Sequence, residues 1–198
     1  LQITSGTNDE CAGATPLANG ANGPYDNTAA TTSAPAWPCG AGGKDRWFWY
    51  TATCFGSLTV STCGAPSNFD TTLQAFSGTC GALTSIACSD DACGAQSSLT
   101  FDVTYGTTYY LRVGGSNASS GTFGIDVACT PTITNNECTG AIGLTVGTNG
   151  PFGNAGATPS ASPWGCGRLV RKDVWFSYTA IADGPISVST CTPTCSFD

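Results

Sequence analysis

The sequence predicts an all-β chain held together by disulfides, and three features of its composition support this prediction. Charged residues make up only 10 % of the 198 residues, so the surface must consist largely of Thr, Ser, Gly, Asn and Ala. Thr favours strands, whereas the abundant Gly, Asn and Pro favour turns. Twelve cysteines without a single histidine favour disulfides over transition-metal sites. We therefore expect short strands and long loops, joined by covalent bridges.

Candidate strands follow one another along the first two thirds of the chain. The first, DRWFWYTA, alternates side chains between two faces. The later segments are each bounded by Gly, Asn or Asp, which favour turns. In order, the candidate strands are DRWFWYTA (45–52), TTLQAFSG (71–78), LTSIACSDD (83–91), SSLTFDVTYG (97–106), TTYYLRVGG (107–115) and GTFGIDVAC (121–129).

The opening of this pattern occurs twice. NDECAGA (8–14) recurs as NNECTGA (135–141), and DRWFWYTA recurs as DVWFSYTA (173–180) after an inserted residue shifts the offset from 127 to 128. The second copy lacks counterparts of every candidate strand after residue 70. We predict a complete repeat over 1–130 and the first half of a second repeat over 131–198. Because half a sandwich exposes apolar faces, we expect its missing strands to come from more of the same chain or from another chain.

The cysteines suggest a disulfide map in which only some pairings are well supported. Cys11 and Cys39 recur at identical spacing as Cys138 and Cys166, so we predict the pairs Cys11–Cys39 and Cys138–Cys166. The other six cysteines of the first copy allow fifteen connectivities. Cys54 is replaced by Ala182 in the second copy, so its partner should also be optional. We favour Cys54–Cys129, Cys88–Cys93 and Cys63–Cys80.

The residues for nucleophilic catalysis are largely missing. A serine or cysteine nucleophile needs a base such as histidine, and the chain has none. Lys44 and Lys172 each stand beside an aspartate, Asp45 or Asp173, which we interpret as a solvated ion pair at a strand entrance. We therefore predict a protein without catalytic residues.

Three carboxylates are candidate metal ligands. Asp90 and Asp91 are adjacent in CSDDAC, and Asp70 follows the candidate strand end in NFDTT. Hard oxygen ligands of this kind suit Ca²⁺, which takes six or more of them. The alternative is that these aspartates cap turns through their own backbone. We predict no cofactor, and Ca²⁺ is the one candidate ion.

The repeat also separates structural aromatic residues from candidate binding residues. Trp47 is retained as Trp175, whereas Trp49 is replaced by Ser177. We therefore expect Trp47 and Trp175 to be structural and Trp49 to lie at an interface or a ligand site. Asn117, in Asn-Ala-Ser, matches the N-glycosylation acceptor pattern.

Charge and cysteine content restrict partners and location. The net charge of −7, with only six basic residues, argues against nucleic acid. No apolar run is long enough to span a bilayer. Disulfides place the chain outside the reducing cytosol, so we expect a secreted, extracellular or cell-surface protein. The absence of methionine and of a leader at Leu1 suggests a processed product.

NDECAGA, DRWFWYTA, TTYYLRVGG and GTFGIDVA together resemble the bacterial pre-peptidase C-terminal domain, in its Cys-rich tandem-repeat version. The resemblance covers residues 8–129 and the start of a second domain from 135. It implies a jelly-roll-like antiparallel β-sandwich, stapled by disulfides and without catalysis, in secreted proteins. Some members bind collagen or polysaccharide with calcium at the opening segment, which corresponds here to Asn8, Asp9 and Glu10.

Two functional hypotheses follow. The leading one is a noncatalytic structural module of a secreted tandem-repeat protein that packs end to end with copies of itself in an extracellular fibre or surface assembly. The short link TPTITN between the copies supports it, because it leaves adjacent sandwiches close together. The alternative is a module that binds polysaccharide or a protein matrix through Trp49 and carries a secreted enzyme to it.

Overall fold

The computed structural model describes residues 8–64, 66–154, 157–159 and 172–190. The chain divides into two compact units, of which the first ends at Thr132 and the second begins at Ile133. The described residues form strands and two short 3₁₀ turns, Cys11–Gly13 and Cys138–Gly140, without any α-helix. Across these ranges, no helix long and apolar enough to cross a membrane is found. The all-β prediction is confirmed.

Nine strands build the first unit, and they include every candidate strand predicted from the sequence. The second unit contributes two short strands within its described residues. In chain order the strands are β1 (Thr15–Pro16), β2 (Gly20–Asp26), β3 (Gly42–Thr51), β4 (Gly56–Ser61), β5 (Thr71–Thr79), β6 (Ala82–Asp90), β7 (Ser98–Val103), β8 (Thr108–Ser116), β9 (Thr122–Pro131), β10 (Ile142–Gly143) and β11 (Phe176–Ser177).

Two sheets make the first unit a β-sandwich. The front sheet has the order β1-β3-β8-β5-β6, and the back sheet has the order β2-β9-β4-β7. All pairings are antiparallel except that of β1 with β3. Without the short β1, each sheet has four strands. Most strands that are neighbours within a sheet are not consecutive in the chain. This is the strand order of a jelly roll.

The core lies between the sheets and follows the period of two expected of half-buried strands. Phe48 and Tyr50 of β3 point inward beside Leu111 of β8, and all three are at most 2 % exposed. Leu58 of β4 and Ile125 of β9 face them from the back sheet. Burying a large apolar side chain contributes about 1.5 to 3 kcal/mol, so this layer supplies the main driving force for folding.

The outer face of the front sheet is also partly buried, because the β2–β3 segment 27–41 covers it. Arg112 of β8 is fully buried there, with its guanidinium 4.0 Å from the ring centre of Trp37. Its Nη1 donates to Asp45 Oδ2 at 3.3 Å, and its Nε donates to Gln74 Oε1 at 2.9 Å. Gly114 leaves room for Trp37, since a Cβ there would lie 2.8 Å from the indole. A layer of hydrogen-bonded polar side chains therefore lies on the outer face of this half of the front sheet.

This layer corrects one prediction from the sequence. Asp45 does not form a solvated ion pair with its neighbour Lys44, because its carboxylate is fully buried and pairs with Arg112. It accepts hydrogen bonds from the backbone N–H and the hydroxyl of Ser33 at 2.8 and 2.7 Å. Trp47 is buried in the same layer, where its indole N–H donates to the Ser33 hydroxyl. Its structural role agrees with the prediction.

Four disulfides cross the first unit. They are Cys11–Cys80, Cys39–Cys88, Cys54–Cys129 and Cys63–Cys93. The structure thus has the predicted Cys54–Cys129 bridge, but the predicted pairs Cys11–Cys39, Cys63–Cys80 and Cys88–Cys93 are wrong.

The physical reason is the position of the β5–β6 hairpin at the edge of the front sheet. Cys80 lies in its turn and Cys88 lies on β6. The loops that carry Cys11 and Cys39 are each tied to this hairpin instead of to each other. For the predicted Cys138–Cys166 pair, Cys166 lies outside the described residues.

The opening of the second unit has the local structure of the opening of the first. Asn135 Nδ2 donates to the Trp175 carbonyl at 2.9 Å, as Asn8 Nδ2 does to the Trp47 carbonyl at 3.2 Å. The parallel pairing of β10 with β11 at Ile142 and Phe176 matches that of β1 with β3 at Thr15 and Phe48. Residues that correspond in sequence therefore correspond in local fold.

Candidate functional site

A half-exposed aromatic pair lies on the outer face of the front sheet, beyond the part covered by segment 27–41. Trp49 of β3 and Tyr110 of β8 are direct cross-strand neighbours. The next pair on the same face of these two strands is Thr51 and Thr108, whose hydroxyl oxygens lie 3.0 Å apart. All four residues are half-buried. We call these four residues the aromatic platform.

The platform exists because of the alternation along β3 and β8. Phe48 and Tyr50 point into the core, so Trp49 must point out. On the outer face, Trp47 is covered by segment 27–41, whereas Trp49 is one pair further along and remains partly open. Comparison of the repeats identified Trp49 but missed Tyr110. The alternation of the adjacent Tyr109 and Tyr110 could have found it, because Tyr109 is in the core.

The predicted carboxylates meet at the end of the first unit where β5 begins and β6 ends. One carboxylate oxygen from each of Asp70, Asp90 and Asp91 lies within 4.8 Å of the other two. Asp70 precedes β5, and Asp90 is the last residue of β6, so antiparallel pairing of these strands brings them together. Asp91 follows with a φ of +57°. We call this group the acidic cluster.

The acidic cluster has an unbalanced charge. Burial raises the pKa of Asp70, and the nearby negative charges of Asp91 and Asp90 raise it further. Neither of the two ion pairs within the described residues, Arg46–Asp9 and Arg112–Asp45, reaches the cluster. Asp70 Oδ1 is buried and accepts no hydrogen bond. A buried carboxylate oxygen without a partner costs free energy, which a bound cation would offset.

The donor set fits a hard cation. Three carboxylates supply oxygen only, which suits Ca²⁺, and no thiolate or imidazole competes for a softer metal. Asp90 Oδ1 also accepts a hydrogen bond from the Thr72 hydroxyl at 3.3 Å, which holds this carboxylate in place. Asp70, Asp90 and Asp91 are the residues that would hold the ion.

Two further surface features lie in loops of the first unit. Asn117, the predicted glycosylation site, is exposed in the β8–β9 loop with a φ of +51°. Its modification stays a prediction. Phe55 and Tyr105 stack on each other with ring centres 5.9 Å apart and are 48 % and 46 % exposed. They lie beside the ends of β4 and β7 that pair at Gly56 and Val103.

The strand order, the covered core and the aromatic platform place the first unit among jelly-roll β-sandwich modules. Comparison with known families identifies the family to which this module belongs. Residues 7–127, more than half of the chain, match a T9SS-associated family described as "Galactose binding domain-like". The chain belongs to this family. The platform and the acidic cluster both lie within the matched residues.

The other comparisons add no relative. Neither the search of curated proteins nor the search of solved structures found a match. The family match does not confirm the resemblance to the pre-peptidase C-terminal domain, although it agrees with the predicted β-sandwich. The T9SS association and the four disulfides of the first unit both point to a secreted protein.

Proposed function

We propose that the chain is a noncatalytic carbohydrate-binding module of a secreted protein. Its membership in the galactose binding domain-like family over residues 7–127 carries this proposal. The alternative hypothesis from the sequence, a polysaccharide-binding module that uses Trp49, is therefore favoured over a purely structural module.

The aromatic platform supports the proposal and suggests where the sugar packs. The apolar face of a pyranose ring packs well on an indole or phenol ring, and Trp49 and Tyr110 present two such rings side by side. The hydroxyls of Thr51 and Thr108 stand next to them and can bond to sugar hydroxyls. Apolar faces with a few polar groups are typical of ligand sites.

The first test is retention of the full chain on a galactose-containing polysaccharide. Trp49→Ala removes the larger ring, and we expect about 10- to 100-fold weaker binding, from the apolar burial and stacking that one ring contributes. Affinity electrophoresis measures this directly. Ile86→Ala is the control, since it truncates an exposed apolar side chain on β6, which β5 separates from the platform strands β3 and β8. Equal binding by Trp49→Ala and the parent chain would rule out the platform.

We also propose that the acidic cluster binds Ca²⁺ and holds the start of β5 to the end of β6. The support is the buried oxygen of Asp70 without a hydrogen bond and the three carboxylates without a counter-ion. Calcium should raise the Tm of the first unit by several degrees at pH 7, because it binds only the folded state. The effect should disappear as the pH falls through the raised pKa of Asp70, where the proton displaces the ion.

Scanning calorimetry with calcium, with magnesium and with a chelator measures this effect. Asp91→Asn should abolish the calcium-dependent rise in Tm. Asp102→Asn is the control, because Asp102 is an exposed carboxylate of β7 outside the cluster. A Tm that is the same in calcium and in chelator would contradict the metal site.

A second candidate function is a module of a tandem array. The matching local structure at the openings of the two units favours it. The fibre that the sequence analysis preferred has no support from the family match. Electron microscopy of the purified chain tests it, with end-to-end filaments as the supporting result and dispersed particles as the opposing one.

A further inference from the structure

Phe55 and Tyr105 form a second exposed aromatic group in the first unit, which we call the stacked pair. Their ring centres lie 5.9 Å apart at an interplanar angle of 28°, and the side chains are 48 % and 46 % exposed. Neither ring belongs to the hydrophobic core. Exposed apolar side chains that cluster, rather than standing singly, mark an interaction surface.

The second unit shows that the fold does not require an aromatic residue at position 55. Gly56 and Gly184 correspond at the repeat offset of 128, and their φ angles are nearly equal, +152° and +150°. Asp183 therefore occupies the position of Phe55. Trp49 of the aromatic platform is likewise replaced by a polar residue in the second unit. Both exposed aromatic groups thus contain a ring that the shared local fold does not need, which indicates a role in binding.

Backbone hydrogen bonds connect the loops of the stacked pair to the platform strands. Beyond the end of β3, Ala52 donates its N–H to the Thr107 carbonyl at 2.9 Å, and its own carbonyl accepts from the Gly106 N–H at 2.8 Å. Thr107 and Gly106 belong to the β7–β8 loop, which also carries Tyr105. The β3–β8 ladder therefore continues past the platform into the two loops that carry the stacked pair.

The platform and the stacked pair are close enough for one extended ligand to reach both. Trp49 and Thr51 are two residues apart on β3, which corresponds to about 7 Å at the rise of a strand. Phe55 follows Thr51 by four residues and Tyr105 precedes Thr108 by three, spans of at most about 14 and 11 Å. The path from Trp49 to the stacked pair is thus longer than one pyranose ring and at most about 20 Å.

The residues along this path carry hydroxyl groups and no charge. Segments 48–55 and 103–110 contain no Asp, Glu, Lys or Arg, and their threonines are Thr51, Thr53, Thr104, Thr107 and Thr108. Aromatic rings at both ends with hydroxyls between them suit linked sugars, whose rings have apolar faces and hydroxyl edges. An apolar protein surface fits less well, because it would leave these hydroxyls without partners. A charged polymer would find no counter-ion on this path.

We propose that the stacked pair is a second contact of the carbohydrate site, and that the site binds a run of several linked sugars of a neutral polysaccharide. The inference rests on the proposed function and adds to it the length of the ligand. One end of the run stacks on Trp49 and Tyr110, the middle crosses the threonine hydroxyls, and the other end packs on Phe55 and Tyr105. A single galactose would contact the platform alone.

Isothermal titration calorimetry of the full chain with galactose and with galactan oligomers of two, four and six sugars tests this inference. The parent chain should bind the four-sugar oligomer at least 10-fold more tightly than galactose, with one oligomer bound per chain. Tyr105→Ala should remove most of this gain. Trp49→Ala should weaken the binding of galactose and of the oligomers alike.

A second variant guards against a local folding defect in the first. Phe55→Asp introduces the residue that the second unit carries at this position, where the same local backbone forms. It should lose the gain as Tyr105→Ala does. Ile86→Ala is the control and should bind every ligand like the parent chain, since β5 separates its strand β6 from the platform strands.

Several results would overturn the inference. If the oligomers bind no more tightly than galactose, the ligand is a single sugar at the platform, and the proposed function stands without this extension. If two oligomers bind per chain, or if Tyr105→Ala keeps the full gain, the stacked pair is not part of the same site. Dimerisation that Tyr105→Ala abolishes without changing sugar binding would make the pair a contact between copies. Failure of galactose and all its oligomers to bind would instead contradict the proposed function itself, and the inference with it.

Discussion

At the scale of single residues, Arg112 stands out because it places a positive charge in a fully buried position. Its guanidinium is fully buried between Trp37, Trp47 and Phe76, with ring centres 4.0, 5.6 and 5.4 Å away. A buried charge is tolerated only when it is paired and hydrogen-bonded. Asp45 and Gln74 meet that requirement. Burial raises the pKa of Asp45, and its hydrogen bonds from Ser33 and the charge of Arg112 oppose that shift.

Removing this guanidinium should therefore be costly. Arg112→Met leaves the Asp45 carboxylate buried without its cation, and we expect about 3 to 5 kcal/mol less stability toward urea. Lys44→Met is the control, because its ammonium group makes only long hydrogen bonds at 3.4 and 3.5 Å. It should cost less than about 1 kcal/mol. Equal midpoints for the two variants would mean that the ion pair contributes little.

Trp47 and Trp49 show what sequence comparison can assign to single residues. Trp47, which is retained in the second copy, is buried, whereas Trp49, which is replaced there by Ser177, is half-exposed. The comparison of the two copies predicted this difference. The sequence did not reveal that Trp47 lies on the outer face of the sheet. Alternation predicts that neighbouring core residues share one face, and it does not predict that segment 27–41 covers the other face as well.

At the scale of elements, the strands were predictable and the bridges between them largely were not. Alternating apolar residues, bounded by Gly, Asn or Asp, predict strands such as β7 and β8 from the local sequence alone. Pairing of cysteines depends on which loops meet, which is a long-range property. Recurrence of Cys11 and Cys39 at one spacing shows that both belong to the first half of the fold. Their partners are on the β5–β6 hairpin, which has no counterpart in the second copy.

The Cys54–Cys129 bridge is the element that the repeat shows to be dispensable. Because Ala182 stands at its position in the second copy, the fold should survive its loss. Replacing both cysteines with alanine should lower stability by about 2 to 5 kcal/mol, as expected for a native disulfide of a small secreted domain. Thermal unfolding followed by circular dichroism measures this. A chain that fails to fold at 25 °C without the bridge would contradict the expectation.

At the scale of the whole molecule, composition determines which ligands are accessible. The net charge of −7 and the six basic residues leave little to attract an anionic polymer. If the platform binds sugar by stacking, neutral galactose polymers should retain the chain and sulfated ones should not. The family match supports the binding class, and the platform identifies residues that composition alone could not.

This selectivity gives a direct test on the full chain. Retention on a neutral galactan should change little between 50 and 500 mM NaCl, because stacking is insensitive to salt. Retention on heparin should be absent throughout this range, since it requires many sulfate-neutralising cations and the chain has only six basic residues against a net charge of −7. Heparin binding that weakens with salt would show that a local basic site outweighs the net charge.

The overlapping bridges of the first unit have a mechanical consequence. The shortest covalent route from Cys11 to Cys129 passes through three disulfides and the two stretches 80–93 and 54–63. Stretched at about 3.5 Å per residue, this route spans roughly 100 Å, whereas the unbridged chain would span roughly 400 Å. If this module were pulled apart by force, the distance between Cys11 and Cys129 would therefore stay limited by the disulfides even after the two sheets had separated.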